Sequence, residues 1–163
     1  MIIYLVVALV AGFLVKIVDW LDDERKSKHP VKYFFAILYG LLVGYIIGAA
    51  PFSGIFIAAL IAQVFARKVD TTAHELGFLT ALITLLFFEP PGIEFGLFFL
   101  FLVLAFLDEA DFIGKLRPLT KYRPFLKVGA LAPVLFGRWD YFAGIIAFDI
   151  GYEVFNPLKK YIK

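Results

Sequence analysis

Acidic side chains recur along this chain in groups whose spacing matches one turn of a helix. The groups are Asp19 with Asp22 and Asp23, Asp70 with His74, Asp108 with Asp111, and Asp149 with Glu153. Residues three or four apart lie on the same face of a helix, so each group presents its polar atoms in one direction. Carboxylates that several helices bring together repel one another, and they either take up protons or bind a cation.

Oxygen ligands supplied by several helices are what Mg²⁺ and Mn²⁺ require, and two-metal sites in helix bundles use acid and acid-x-x-histidine faces of this kind. The spacing therefore predicts a site for Mg²⁺ or Mn²⁺. Its predicted ligands are Asp19, Asp23, Asp70, Asp108, Asp111, Asp149 and Glu153. His74 is predicted to act as a catalytic base or as a further ligand.

Basic residues interleaved with these acids add a means of binding anions. Lys115 and Arg117 are predicted to hold phosphate, since a guanidinium binds phosphate oxygens in pairs. Together these groups favour a divalent-metal-dependent enzyme, a phosphoryl or prenyl transferase, that acts on a lipid or isoprenoid phosphate or diphosphate. In such an enzyme the metal and the cations stabilise the charge that develops on the transferred group.

Each acidic group also has a structural interpretation. The charges from Asp22 to Lys28 would form a solvated loop, Asp70 would cap the helix that follows it, and Asp108 would mark a helix end. Asp149 is the hardest to explain in this way, because it lies near the middle of its apolar segment, where an unpaired charge costs about 3 kcal/mol. Lys16 or a buried hydroxyl is the structural partner considered for it.

Two further classes of function stay open at this point. A cation transporter or channel would use Asp19, Asp149 and Glu153 to line a path for protons or a divalent metal. A noncatalytic membrane subunit would use its charged face to bind a cytoplasmic protein. The sequence has no glycine-rich phosphate loop, H-E-x-x-H or G-x-S-x-G motif, and the absence of cysteine excludes a thiolate nucleophile.

The elements that position these residues are predicted to be membrane helices. Apolar residues make up 62% of the 163 residues, charged residues make up 18%, and the mean hydropathy is +0.88. Such a composition predicts that lipid is the solvent for most of the surface. We expect an all-α, polytopic bundle that forms a single transmembrane domain over residues 1–163, with six to seven spanning segments and the amino terminus outside. After the first segment, three successive hairpins suggest one helix plus a threefold repeat.

Proline marks the predicted turns between segments. The uncharged run from Tyr33 to Ala66 divides at Pro51, and Pro90-Pro91 separates the next two segments. The apolar run 128–137 is short and contains Pro133, so a crossing and a re-entrant segment are both open. The last segment is predicted to end at Asn156-Pro157.

Basic residues are distributed very unevenly across this map. If every segment crosses, 15 of the 16 lysines and arginines fall on one side and Arg138 alone falls on the other. The positive-inside rule assigns the basic side to the cytoplasm, so we predict a multi-pass protein of the cell membrane with cytoplasmic acidic and basic loops. Its predicted partners are membrane lipids and a lipid phosphate substrate, with a homo-oligomer as a further option and no nucleic acid.

Overall fold

The computed structural model describes residues 1–24, 29–89, 92–109, 124–158 and 161. Within these ranges the chain is all-helical, with no strand, which confirms the predicted fold class at that level. The α-helices are α1 (Ile2–Asp19), α2 (Val31–Ala49), α3 (Ser53–Phe65), α4 (Thr72–Leu85), α5 (Phe95–Glu109), α6 (Pro124–Gly129) and α7 (Asp140–Leu158). A π-helical turn, Trp20–Glu24, extends α1, and a 3₁₀ helix, Ala132–Phe136, follows α6.

Helix ends follow the sequence signals closely. The turn between α2 and α3 contains Pro51, as predicted, and α4 begins after Thr71, whose side-chain oxygen accepts a hydrogen bond from the backbone N–H of His74. The end of α7 differs from the prediction, because this helix includes Pro157 and ends at Leu158. A proline in the last turn removes one hydrogen bond without preventing one further helical residue.

Two helices are long and apolar enough to span a bilayer, by length and composition, in the part of the chain that the structure describes. They are Ile2–Asp22, which includes part of the π-helical turn, and Val31–Ala49. Large apolar side chains also point outward from each of the α-helices that the structure describes. Examples are Ile3 and Val6 on α1, Phe34 and Leu41 on α2, Leu79 and Ile83 on α4, and Phe99 and Val103 on α5. This exterior is compatible with a membrane location, and the full count of six to seven crossings stays a prediction.

Glycine permits close contact between helices in two pairs. A Cβ atom at Gly12 of α1 would lie 2.0 Å from the carbonyl oxygen of Phe148 on α7, and one at Gly151 of α7 would lie 1.8 Å from that of Leu9. The α2–α4 pair is similar, because a Cβ at Gly40 would lie 2.4 Å from the carbonyl oxygen of Gly77. Small residues at such contacts are typical of helix association within membranes.

Polar side chains collect at two opposite ends of the bundle. At the end where α1 finishes and α4 begins, Asp19 meets His74, and we call this the histidine end. At the other end Arg138 forms ion pairs with Glu94 and Asp140, and we call this the arginine end. The predicted separation of Arg138 from the other basic residues therefore corresponds to two distinct polar ends among the described residues.

The apolar run 128–137, for which a crossing and a re-entrant segment were both open, extends between these two ends. Backbone N–H groups at the start of α6 donate to Asp108 at the end of α5, whereas Arg138 contacts Glu94 just before the start of α5. Asp108 lies fourteen positions after Glu94, which corresponds to about 20 Å of helix. Residues 124–138 thus run antiparallel to α5 along its length as a broken helix, and a membrane crossing by this segment stays a prediction.

Candidate functional site

A carboxylate, an imidazole and a phenol from three helices meet at the histidine end. Asp19 is the last residue of α1, and its Oδ1 lies 3.3 Å from Nε2 of His74, in the first turn of α4. The hydroxyl of Tyr39 on α2 lies 3.3 Å from Nδ1 of the same imidazole. Each ring nitrogen of His74 thus has a polar neighbour, and the three groups form a row that we call the Asp19–His74–Tyr39 relay.

The second oxygen of Asp19 is held from α7. The hydroxyl of Tyr152 donates to Asp19 Oδ2 at 2.5 Å, and Lys16 Nζ donates to the same hydroxyl at 3.3 Å. The Lys16 ammonium also lies 4.6 Å from the centre of the Tyr152 ring, which adds a cation–π contact. Both carboxylate oxygens are therefore engaged, and the orientation of Asp19 toward His74 is fixed by two helices.

The position of His74 depends on a second carboxylate, Asp22. Asp22 forms an ion pair with Lys32 and accepts a hydrogen bond of 2.7 Å from the hydroxyl of Thr71. That same hydroxyl oxygen accepts the backbone N–H of His74 at 3.4 Å, as the cap of α4. Asp22 thus acts through Thr71 on the start of α4, and this arrangement fixes the turn that carries the imidazole.

The relay opens on a deep pocket between α2, α3 and α4. Tyr39 and His74 line its polar end together with Gln63 and Lys68, and its walls are otherwise apolar. The cavity volume is about 80 Å³, and the open mouth adds further space. An apolar pocket with few polar groups at one end is typical of a site for a small amphipathic molecule.

Lys68 reaches the pocket from a strained turn. The backbone N–H of Lys68 donates to the carbonyl of Gln63 and that of Arg67 donates to Val64, which is the hydrogen-bond pattern of a Schellman motif. Arg67 occupies its left-handed position with φ of 54°, where glycine is usual and another residue costs about 1 kcal/mol. Backbone strain of this kind is often retained beside functional sites.

The remaining predicted ligands have other neighbours. Asp108 accepts backbone N–H groups of Phe125 and Leu126 at 3.1 and 2.7 Å, and so caps α6. Asp149 forms an ion pair with Lys127, so the partner that the described residues supply is neither Lys16 nor a hydroxyl.

Glu153 accepts a hydrogen bond of 2.7 Å from the Asn156 amide. Asp70 is exposed immediately before Thr71, and Thr71 rather than Asp70 caps α4.

Of the residues predicted to bind a metal, the structure places Asp19 and His74 in contact. No group of three or more acidic or histidine side chains that could hold a metal occurs among the residues described. The side chain of Asp23, and all of Asp111, Lys115 and Arg117, lie outside the described residues. Metal ligation and phosphate binding by those four residues stay predictions.

A separate ion-pair cluster holds the arginine end together. Arg138 contacts Asp140 through Nε and an amino group at 3.0 and 2.9 Å, and its other amino group lies 2.5 Å from Glu94. It also donates to the carbonyl oxygen of Pro51 at 3.0 Å. The carboxylate of Asp140, followed by that of Glu94, raises the pKa of Arg138 above its ordinary value, so the guanidinium stays charged.

Three residues of this site were not predicted from the sequence. In the sequence, Tyr39 and Tyr152 cannot be distinguished from aromatic residues at a membrane interface. Lys68 contributes there only as one of the basic residues that predict the orientation. The available signal was that each tyrosine places a hydroxyl within an apolar segment. Comparison with family models, with curated proteins and with solved structures found no match to this chain.

Proposed function

We propose that this chain is a membrane-embedded enzyme that acts on the phosphate group of a lipid whose hydrocarbon chain lies in the pocket. The observation that carries this proposal is the position of the Asp19–His74–Tyr39 relay at the polar end of a deep apolar pocket, beside Lys68. An amphipathic anion matches this arrangement, because its head meets a cation and a proton relay while its chain contacts apolar side chains.

Lys68 and Gln63 supply the proposed contacts to the head group. An ammonium binds phosphate as a point charge, and an amide can donate to a phosphate oxygen. Lys68 is largely exposed at the pocket mouth, so a phosphate can reach it without entering the apolar interior. Lys32, Arg67 and Lys127 also lie toward this end, and this enrichment in cations supports the cytoplasmic face as the side of approach.

The relay supplies proton transfer. With its proton on Nε2, His74 donates toward the carboxylate of Asp19, and Nδ1 then accepts the proton of the Tyr39 hydroxyl. This is the arrangement by which a carboxylate fixes the tautomer of a histidine that serves as a general base. Tyr39 is thus the group that exchanges a proton with substrate, and general acid–base catalysis of this kind contributes about 10²- to 10⁴-fold in rate.

A divalent metal stays a prediction for this chain. Asp19 and His74 are the two predicted ligands that the structure brings together, whereas Mg²⁺ takes about six oxygen ligands. The proposed proton transfer therefore uses the relay residues alone. Addition and removal of Mg²⁺ in the assay tests the metal separately.

A second candidate function, proton or cation transport, is favoured by one observation. Hydrogen bonds connect Lys16, Tyr152, Asp19, His74 and Tyr39 in a continuous chain across α1, α7, α4 and α2. The chain lies at the histidine end, and Arg138 at the opposite end is already bound to two carboxylates. We rank transport second because the polar path described does not join the two ends.

The test compares binding and turnover in purified protein. Lipid monophosphates and diphosphates are added to the protein in phosphatidylcholine nanodiscs, and phosphate release or transfer to a second lipid is measured with and without Mg²⁺. His74→Gln and Tyr39→Phe should lower turnover at least 10²-fold while binding changes less than threefold. Lys68→Gln should instead weaken binding about tenfold.

Matched controls separate these effects from general damage. His29→Gln changes the other histidine, which lies before α2, and Arg67→Gln removes a charge next to Lys68 without lining the pocket. Both controls should retain binding and turnover. Absence of turnover with every lipid phosphate, together with an ion flux in sealed liposomes that His74→Gln abolishes, would instead support transport.

A further inference from the structure

The depth of the pocket can be inferred separately from its lining residues on α3 and on α4. On α3 its lining extends from Gln63 at the polar end to Phe56, and on α4 it extends from His74 to Ala81. Each interval is seven residues, which corresponds to about 10 Å of helix. The agreement between two antiparallel helices gives the depth available to a hydrocarbon chain.

Phenylalanine rings close the inner end of the pocket. Phe56 and Phe148 lie with ring centres 5.7 Å apart in an edge-to-face contact, and Phe52 packs behind Phe56 at 5.8 Å. Phe52 is fully buried, and the other two rings are nearly so. A straight chain that enters from the histidine end therefore meets a wall after about 10 Å.

We infer that the site selects a lipid phosphate with one short chain, of about two isoprene units or eight to ten carbons in length. This inference rests on the proposed function, and it adds the substrate class. The position of Ala59, one turn of α3 below Gln63 and on the pocket wall, makes it the residue at which chain length can be changed. A diacyl lipid is predicted not to fit, because both of its chains would have to enter one cavity of about 80 Å³.

Ala59→Phe is the informative variant. It fills the middle of the pocket and creates no cavity, so it should shorten the accepted chain to about half its length. Val64→Phe is the matched control, because Val64 lies on the exposed face of the same helix. Phe56→Ala provides the opposite change, since removal of one ring of the wall should extend the limit.

The experiment measures the affinity of alkyl phosphates of increasing length, and of geranyl, farnesyl and geranylgeranyl phosphate, for the protein in nanodiscs. Binding is corrected for partition of each ligand into empty nanodiscs, and each added methylene within the pocket should then increase affinity by at most about fourfold, the value for transfer from water. The increase should stop near decyl or geranyl phosphate in the native protein and in Val64→Phe, and at about half that length in Ala59→Phe. Phosphatidic acid should bind at least tenfold more weakly than decyl phosphate.

Failure of this inference is distinct from failure of the proposed function. If every chain length binds through Lys68 but affinity keeps rising to geranylgeranyl phosphate, or if Ala59→Phe leaves the limit unchanged, the length selection is wrong and the lipid phosphate site stands. Equal binding of phosphatidic acid overturns the single-chain requirement. If no lipid phosphate binds more tightly than the corresponding alcohol, and Lys68→Gln has no effect, both proposals are overturned.

Discussion

Replacement of Gly151 by alanine tests the contact between α1 and α7. The new Cβ would lie 1.8 Å from the carbonyl oxygen of Leu9, and three atoms of that residue's backbone lie within 3.0 Å. Backbone on both sides cannot rotate away, so the two helices must separate by more than 1 Å. Overpacking of this kind costs about 1 to 3 kcal/mol, and we expect the upper part of that range because no side chain can give way.

Separation of these helices should also weaken the hydrogen bond between Tyr152 and Asp19, since Tyr152 follows Gly151 directly. The measurement is thermal or denaturant unfolding in one fixed detergent, with turnover assayed on the same samples. Gly96→Ala is the matched control, because a Cβ at Gly96 has nothing within 4 Å in the described structure. It should be neutral or stabilise α5 by up to about 1 kcal/mol.

The reasoning is refuted if Gly151→Ala unfolds at the same temperature as Gly96→Ala. A second check uses Gly12→Ala, whose Cβ would lie 2.0 Å from the carbonyl oxygen of Phe148 at the same contact. Once one substitution has separated the helices, the second adds less, so the double variant should lose less stability than the sum of the single variants.

Three further predictions concern the charged groups. Arg138→Gln leaves Glu94 and Asp140 facing each other and should cost about 1 to 3 kcal/mol in unfolding free energy. Because the two carboxylates raise the pKa of Arg138, the guanidinium stays charged and its contribution should be constant from about pH 8 to 11. Asp108→Ala removes the cap of α6 and should lower stability by about 1 kcal/mol, with partial recovery in Asp108→Asn and unchanged lipid binding. Asp149→Asn removes the carboxylate that Lys127 contacts and should destabilise more than the double variant in which Lys127→Met removes the cation as well, a difference that a double-mutant cycle of unfolding free energies measures.

Most helix positions could be predicted from the sequence. Proline and uncharged runs determine where α2 and α3 meet, and the same signals separate the later helices. The separation of Arg138 from the other basic residues was also predicted, and in the structure Arg138 lies at the arginine end with Glu94 and Asp140. Helix ends and the side on which a charged residue lies depend on the local residue types and on the order of the segments, and both can be read from a single sequence.

The neighbours of each acid could not be predicted in this way. Spacing within one helix associated Asp108 with Asp111 and Asp149 with Glu153, whereas the described contacts of Asp108 and Asp149 come from α6. Which face of one helix meets which face of another depends on packing, and the glycine contacts that decide it have no distinctive charge pattern. For the same reason no sequence motif predicts that Tyr39 and Tyr152 belong to the site.

The contact between α1 and α7 determines when the site can form during synthesis. Tyr152 and Asp19 are separated by 133 positions in the chain, so the aspartate emerges from the ribosome long before the hydroxyl that orients it. Until α7 packs against α1, the glycine face of α1 and the Lys16 ammonium lack the helix that covers them. The relay is therefore completed only once α7 is in place, and a nascent chain arrested before that helix would carry the imidazole without the hydroxyl that orients its carboxylate.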